Sequence, residues 1–190
     1  MNRSLLILLL IVFFKITGCT TVVDVATSKP IEVSSEKRSL GTYIDDKTLQ
    51  VIVGVNIRKA DPVLKQSNIQ VTSYNSVVLL TGQVPTQDMR LLAAKVAADT
   101  NSVRQVHNEL QVVGNTALLT RTSDTWLATK IKAILITDPE IKGVTIKVVV
   151  EDGVAYLMGK ATQEVANLAA NLVSNTRGVK EVVRVFEYID

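Results

Sequence analysis

The chain has 190 residues with 21 basic and 18 acidic side chains, a formal net charge of +3 and a single cysteine. Arg3 and Lys15 lie in an N-terminal stretch expected to be removed, and without them 19 basic residues meet 18 acidic ones. Near-neutrality excludes bulk electrostatic capture of nucleic acid or of a membrane, and one cysteine excludes a disulfide within the chain.

The first element is a targeting segment. Arg3 precedes an apolar run from Leu5 to Phe14, and small residues then lead to a cysteine in Ile16-Thr17-Gly18-Cys19. The run is about ten residues, short of the roughly twenty that span a bilayer as a helix. It therefore reads as a cleavable secretion signal over residues 1–18. The four residues ending in Cys19 resemble the lipobox of bacterial lipoproteins. That resemblance implies a diacylglyceryl group and an N-acyl chain on Cys19, with no other cofactor. Two or more acyl chains make a durable tether. An ordinary cleaved signal with an incidental cysteine is the competing reading. In lipoproteins of two-membrane bacteria an Asp after the cysteine commonly marks inner-membrane retention; here Thr20 follows, which implies the periplasmic face of the outer membrane. Residues 19–45 mix valines with Thr, Ser, Lys and Glu without a sustained period, and are expected to form a flexible tether.

Beyond the tether the chain repeats itself. A shift of 77 superposes Asp61-Pro62 on Asp138-Pro139, Ile69 on Ile146, Val71 on Val148, Leu80 on Leu157 and Gly82 on Gly159. One-residue slips at either end set Leu49 against Leu127 and Val103 against Val179. Only two copies exist, so two similar small domains are expected, over residues 46–113 and 124–190.

Each copy has the same expected order. A helix runs from Asp46 to about Lys59, and from Asp124 to about Ile136, with the aspartates placed as N-caps. Leu127, Ile131, Ile134 and Leu135 recur at helical spacing as a buried stripe. Asp-Pro ends each helix, because the residue before proline avoids helical angles. Strands follow at Asn68–Tyr74 and Thr145–Val150, then at Val77–Val84 and Val154–Ala161. Asp152-Gly153 is a strong hairpin signal and Asn75-Ser76 a weaker one. A second helix spans Thr86 to about Asp99, and Thr162 to about Asn175. Valine-rich strands close the copies at Arg104–Val112 and Glu181–Ile189. The fold class is α+β, each unit α-β-β-α-β with two helices on one face of a three-stranded mixed sheet.

Each repeat resembles a BON domain. The resemblance rests on Val77-Val78-Leu79-Leu80-Thr81-Gly82 and Val154-Ala155-Tyr156-Leu157-Met158-Gly159, and on Ser102-Val103-Arg104-Gln105-Val106 and Gly178-Val179-Lys180-Glu181-Val182. Ser102 departs from the usual glycine. A lipobox followed by two such units is similar to the dual-BON outer-membrane lipoproteins linked to envelope integrity and cell division. The resemblance implies phospholipid binding or tethering at envelope surfaces, and no catalysis.

The residues agree on the last point. His107 is the only histidine and sits in an expected strand, without a partner for metal ligation or a triad. Asp61-Pro62 and Asp138-Pro139 are helix stops, Glu151-Asp152 is a turn, and Gly82 and Gly159 belong to no phosphate-cradling loop.

Trp126 is the one tryptophan and replaces Thr48 of the first copy. Lys130, Ala133 and Thr137 follow on its side of the helix, with Thr129 alongside and Lys132 on the flank. An indole beside lysines suits a membrane interface, so Trp126, Thr129, Lys130, Lys132 and Ala133 are the candidate anionic phospholipid site. The competing reading has Trp126 folded over the helix start to cover the core edge. The first copy is the more basic, with seven basic and four acidic residues over 47–114, and Arg58, Lys59 and Lys65 lie close together. That leaves open a lipid or acidic-partner contact there. Tyr156 and Met158 alternate with Leu157 and Gly159, so an apolar sheet face is expected to be buried between the domains. Two functions follow: a phospholipid-binding outer-membrane lipoprotein, or a lipid-tethered adaptor for an outer-membrane protein assembly factor. The headgroup, the partner and the oligomeric state are open.

Overall fold

The computed structural model describes residues 40–113, 121–141 and 144–189. Cys19, the signal segment and most of the expected tether lie outside the described residues. Domain 1 comprises α1 (Leu40–Ala60), α2 (Pro62–Gln66), β1 (Asn68–Tyr74), β2 (Val77–Val84), α3 (Gln87–Ala98), β3 (Gln105–Asn108) and β4 (Gln111–Val112). Domain 2 comprises α4 (Arg121–Thr137), β5 (Ile146–Glu151), β6 (Val154–Ala161), α5 (Gln163–Ser174) and β7 (Glu181–Tyr188).

In each domain the central strand pairs antiparallel with the strand before it and parallel with the strand after the second helix. The parallel pairing requires a crossover, which α3 and α5 supply. Thr86 and Thr162 start these helices by accepting from the Met89 and Val165 amides. Both central strands are covered on two faces. Val78, Leu80 and Val84 pack with Leu49, Val53 and Ile57 of α1 and Ala93 and Ala97 of α3. Ala155 and Leu157 pack with Leu127, Ile131 and Leu135 of α4 and Ala169 and Val173 of α5. The alternate residues meet across the domains: Tyr74, Val77 and Leu79 form one cluster with Val149, Tyr156, Met158 and Val185. Helices thus lie on the outer sides of two stacked sheets. Burial on both faces explains why the central strands read as nearly continuous apolar runs.

Several sequence expectations are corrected. Residues 40–45, assigned to the flexible tether, are helical. Asp46 and Asp124 are therefore not N-caps; both lie inside helices that begin earlier. Their carboxylates hold the hairpins instead. Asp46 accepts from Ser73 Oγ at 2.5 Å and from the Asn75 and Ser76 amides at 2.7 and 2.9 Å. Asp124 accepts from the Asp152 and Gly153 amides at 2.8 and 3.1 Å. These are turn residues with positive φ, at 50° and 64° for Asn75 and Ser76 and 53° and 79° for Asp152 and Gly153. Such turns match the twist of the strands they join, and a carboxylate on their amides offsets the strain of the non-glycine residues.

Asp61-Pro62 does end α1, but Asp61 also caps α2 by accepting from the Val63 amide at 2.7 Å. The last strand of domain 1 is broken at Glu109-Leu110, so the sheet counts four strands. Asn108 donates to the Arg90 carbonyl, Arg90 donates to the Asn108 carbonyl, and the Leu110 amide turns to Asn108 Oδ1. This exchange interrupts the ladder and lets Leu110 enter the core.

Candidate functional site

Helix α4 is amphipathic about a narrow apolar stripe. Leu127, Ile131 and Leu135 are buried, one helical turn apart. The opposite face is open. Trp126 is 64 % exposed, so the indole does not close over the core. The Lys130 ammonium stands 5.4 Å from the Trp126 ring centroid, within the reach of a cation–π contact. It also lies 3.5 Å from the Arg177 carbonyl, which places the turn after α5 beside the start of α4. Ala133 and Thr129 are exposed on the same face.

The five candidate residues do not form a single cluster. Lys130 reaches the α5–β7 turn, with the Trp126 ring beside its ammonium. Thr129 and Lys132 instead line a groove of about 600 Å³ between the domains, shared with Lys47 and Gln50 of α1 and the open edges of β1 and β5. Sequence reasoning missed Ile136, which is 74 % exposed on α4. Ten residues at about 100° each set it about 80° around the helix from Trp126, on the flank of Thr129 and Lys132, and about 15 Å further along. A wheel drawn from Trp126 contains that signal.

The domains are joined by polar contacts around the apolar cluster. The Lys147 ammonium donates to the Ser73 carbonyl at 2.9 Å. Glu187 accepts from Asn75 Nδ2 at 2.7 Å and pairs with Arg104 at 3.0 Å. Burial opposes ionisation of Glu187, but the hydrogen bonds from Asn75 and Arg104 overcome it and hold the carboxyl below its ordinary range. Tyr156 lies between the sheets; desolvation first, then Glu109, Glu181, Glu151 and Asp152, push its phenol up to about 12. Burial lowers the pKa of His107, partly opposed by Glu109.

Among the described residues no group of three or more His, Cys, Asp or Glu is placed to hold a metal ion. No helix among them is long and apolar enough to cross a membrane.

Comparison with known proteins gives this surface a context. The BON domain model matches residues 45–114 and 123–190. An outer membrane lipoprotein, DolP, of Haemophilus influenzae is 35 % identical over 173 residues, covering 91 % of this chain and 90 % of that protein. A 21 kDa hemolysin of Actinobacillus pleuropneumoniae is 34 % identical over 154 residues, covering 81 % of this chain and 79 % of that one. The osmotically-inducible protein Y of Escherichia coli is 29 % identical over 154 residues, 80 % of this chain and 76 % of its own. Two matches to one family model, on two units of the same α+β architecture, make this chain a member of the BON-domain family with two copies of the domain.

Proposed function

We propose that this protein is a non-enzymatic lipoprotein of the outer membrane, facing the periplasm, that binds anionic phospholipid through domain 2 and supports envelope integrity, including at division sites. The observation that carries the lipid reading is the exposed Trp126 with the Lys130 ammonium over its ring. An indole at headgroup depth and a cation beside it fit the boundary between acyl chains and phosphate. Ala133, two helical turns along α4, extends the apolar part of that face. The likeness to an outer membrane lipoprotein supports the location, with acyl chains on Cys19 as the tether and no cofactor required.

The test is sedimentation of the unacylated chain with phosphatidylglycerol, cardiolipin and zwitterionic vesicles across a salt series. Binding to anionic vesicles that fades with salt and falls in Trp126→Ala is expected. No binding to any vesicle would leave Cys19 as the sole membrane contact.

A second reading, a tethered adaptor for an outer-membrane assembly factor, is favoured by a different observation. On α1 of domain 1, Ile44 and Val51 are 62 % and 64 % exposed. Exposed aliphatic side chains sharing a helix suit a protein partner.

A further inference from the structure

The two domains serve as controls for each other at one place. Aligned through the repeat, Trp126 stands where domain 1 has Thr48, Lys130 where it has Ile52, and Arg177 where it has Asn101. The scaffold beneath is shared. In domain 1, Asn56 of α1 donates to Thr100 Oγ1 at 3.2 Å, which seats the helix against the turn after α3. In domain 2 the corresponding turn is packed on α4: a Cβ at Gly178 would lie 3.5 Å from Leu127 Cδ1, and the Arg177 carbonyl faces the Lys130 ammonium. Three positions on two elements therefore meet on one surface. There, neutral Thr, Ile and Asn have been exchanged for an indole and two cations.

We infer that Arg177, on the turn between α5 and β7, completes the anionic phospholipid site by binding the lipid phosphate together with Lys130. This rests on the lipid reading of Trp126. Lys130 is already committed on two sides, to the indole and to the Arg177 carbonyl, so its ammonium is held in place at the foot of the turn. The Arg177 side chain is exposed. A guanidinium offers a planar fork that matches two phosphate oxygens, which a lone ammonium cannot do. The partner is a bilayer surface bearing anionic phosphodiesters, because the indole needs an apolar phase beside the phosphate and the cations need negative charge. Lys132 and Thr129 turn to the groove between the domains and stand outside this site.

The test uses the chain from position 19 onward carrying Cys19→Ser, with phosphatidylglycerol and phosphatidylcholine vesicles. Arg177→Asn, which restores the residue of domain 1, is expected to weaken binding to phosphatidylglycerol vesicles about fivefold and to flatten the salt dependence. Arg177→Lys should retain much of the charge effect, and Lys132→Gln should stay close to the parent. Unchanged thermal melting separates lost binding from lost fold. Wild-type binding by Arg177→Asn, with binding lost in Trp126→Ala, would overturn the role of Arg177 and leave the lipid reading standing. A parent chain that binds neither vesicle would overturn both.

Discussion

Domain 1 holds its hairpin through Asp46, which is 2 % exposed and bonded to a hydroxyl as well as to turn amides. Domain 2 holds the equivalent hairpin through Asp124, which takes the Asp152 and Gly153 amides. The second turn contains a glycine and the first does not. The domain with the more strained turn has the more deeply buried clamp. The outer helices differ by degree: α1 exposes Ile44 and Val51 with Tyr43 beneath the Lys47 ammonium, whereas α4 exposes Ile136 and the larger indole of Trp126 beneath Lys130. A buried polar group is costly to leave unpaired, so the clamp is constrained by the interior of either copy. An exposed helix face has no such constraint, and there the copies have separated.

The largest expected effect separates the paired glycines. Gly82 has φ +111°, and a Cβ there would fall 2.0 Å from the Asn68 carbonyl oxygen. Gly82→Ala should lose about 3 kcal/mol or more. At Gly159, where no positive φ is required, the corresponding approach is 2.8 Å to the Thr145 oxygen, and alanine should cost about 1–2 kcal/mol. Urea unfolding of both variants measures this, and equal losses would break the asymmetry.

The clamps come next. Asp46→Ala should cost about 2–3 kcal/mol and Asp124→Ala about 1–2 kcal/mol. Native-state hydrogen exchange should localise each loss to its own hairpin, at the Asn75-Ser76 and Asp152-Gly153 amides. Loss of protection in both hairpins from either single variant would show that the domains unfold as one unit.

A smaller effect is expected at the joint. Arg104 and Glu187 are both partly solvated, so Arg104→Ala should change stability by less than about 1 kcal/mol. Nuclear relaxation should still report joint tumbling, because Tyr156, Met158 and their neighbours hold the sheets together. Independent tumbling after that one change would show that the polar contacts hold the domains together.

The smallest effect concerns pH. His107 has a lowered pKa because burial disfavours its charged form. Its unfolded form binds a proton below about 6.5, where the folded form resists one. Stability should therefore fall as pH drops through that value, and His107→Gln should reduce the slope in denaturant titrations at pH 7.5 and 5.5. Tyr156 acts in the opposite direction. With its phenol pushed to about 12, stability should decline above about pH 10, where the unfolded phenol ionises first.

The regular elements were largely legible in the residues. The strands at Asn68–Tyr74, Val77–Val84 and Val154–Ala161 occur where the pattern places them, and the second helices begin one residue after the expected starts at Thr86 and Thr162, which are their caps. These signals are local: side-chain alternation, turn residues and helical periodicity. The roles of Asp46 and Asp124 were not legible. An aspartate near an expected helix start is a good N-cap by composition, and only the packed hairpin reveals that its carboxylate serves a turn about thirty residues away in the chain. The break at Glu109-Leu110 also depends on a distant residue, Arg90.

The sequence alone determined the repeat, the α+β order and the distinctiveness of Trp126, because each is written in spacing or residue type. Tertiary structure decided what those residues meet. It left Trp126 open to solvent, turned Lys132 and Thr129 to the groove, and brought Arg177 from another element beside Lys130. The physical reason is that periodicity specifies which side of an element faces the core. What its free side faces depends on how the elements stack, and here that depends on two sheets burying their helix-free faces against each other.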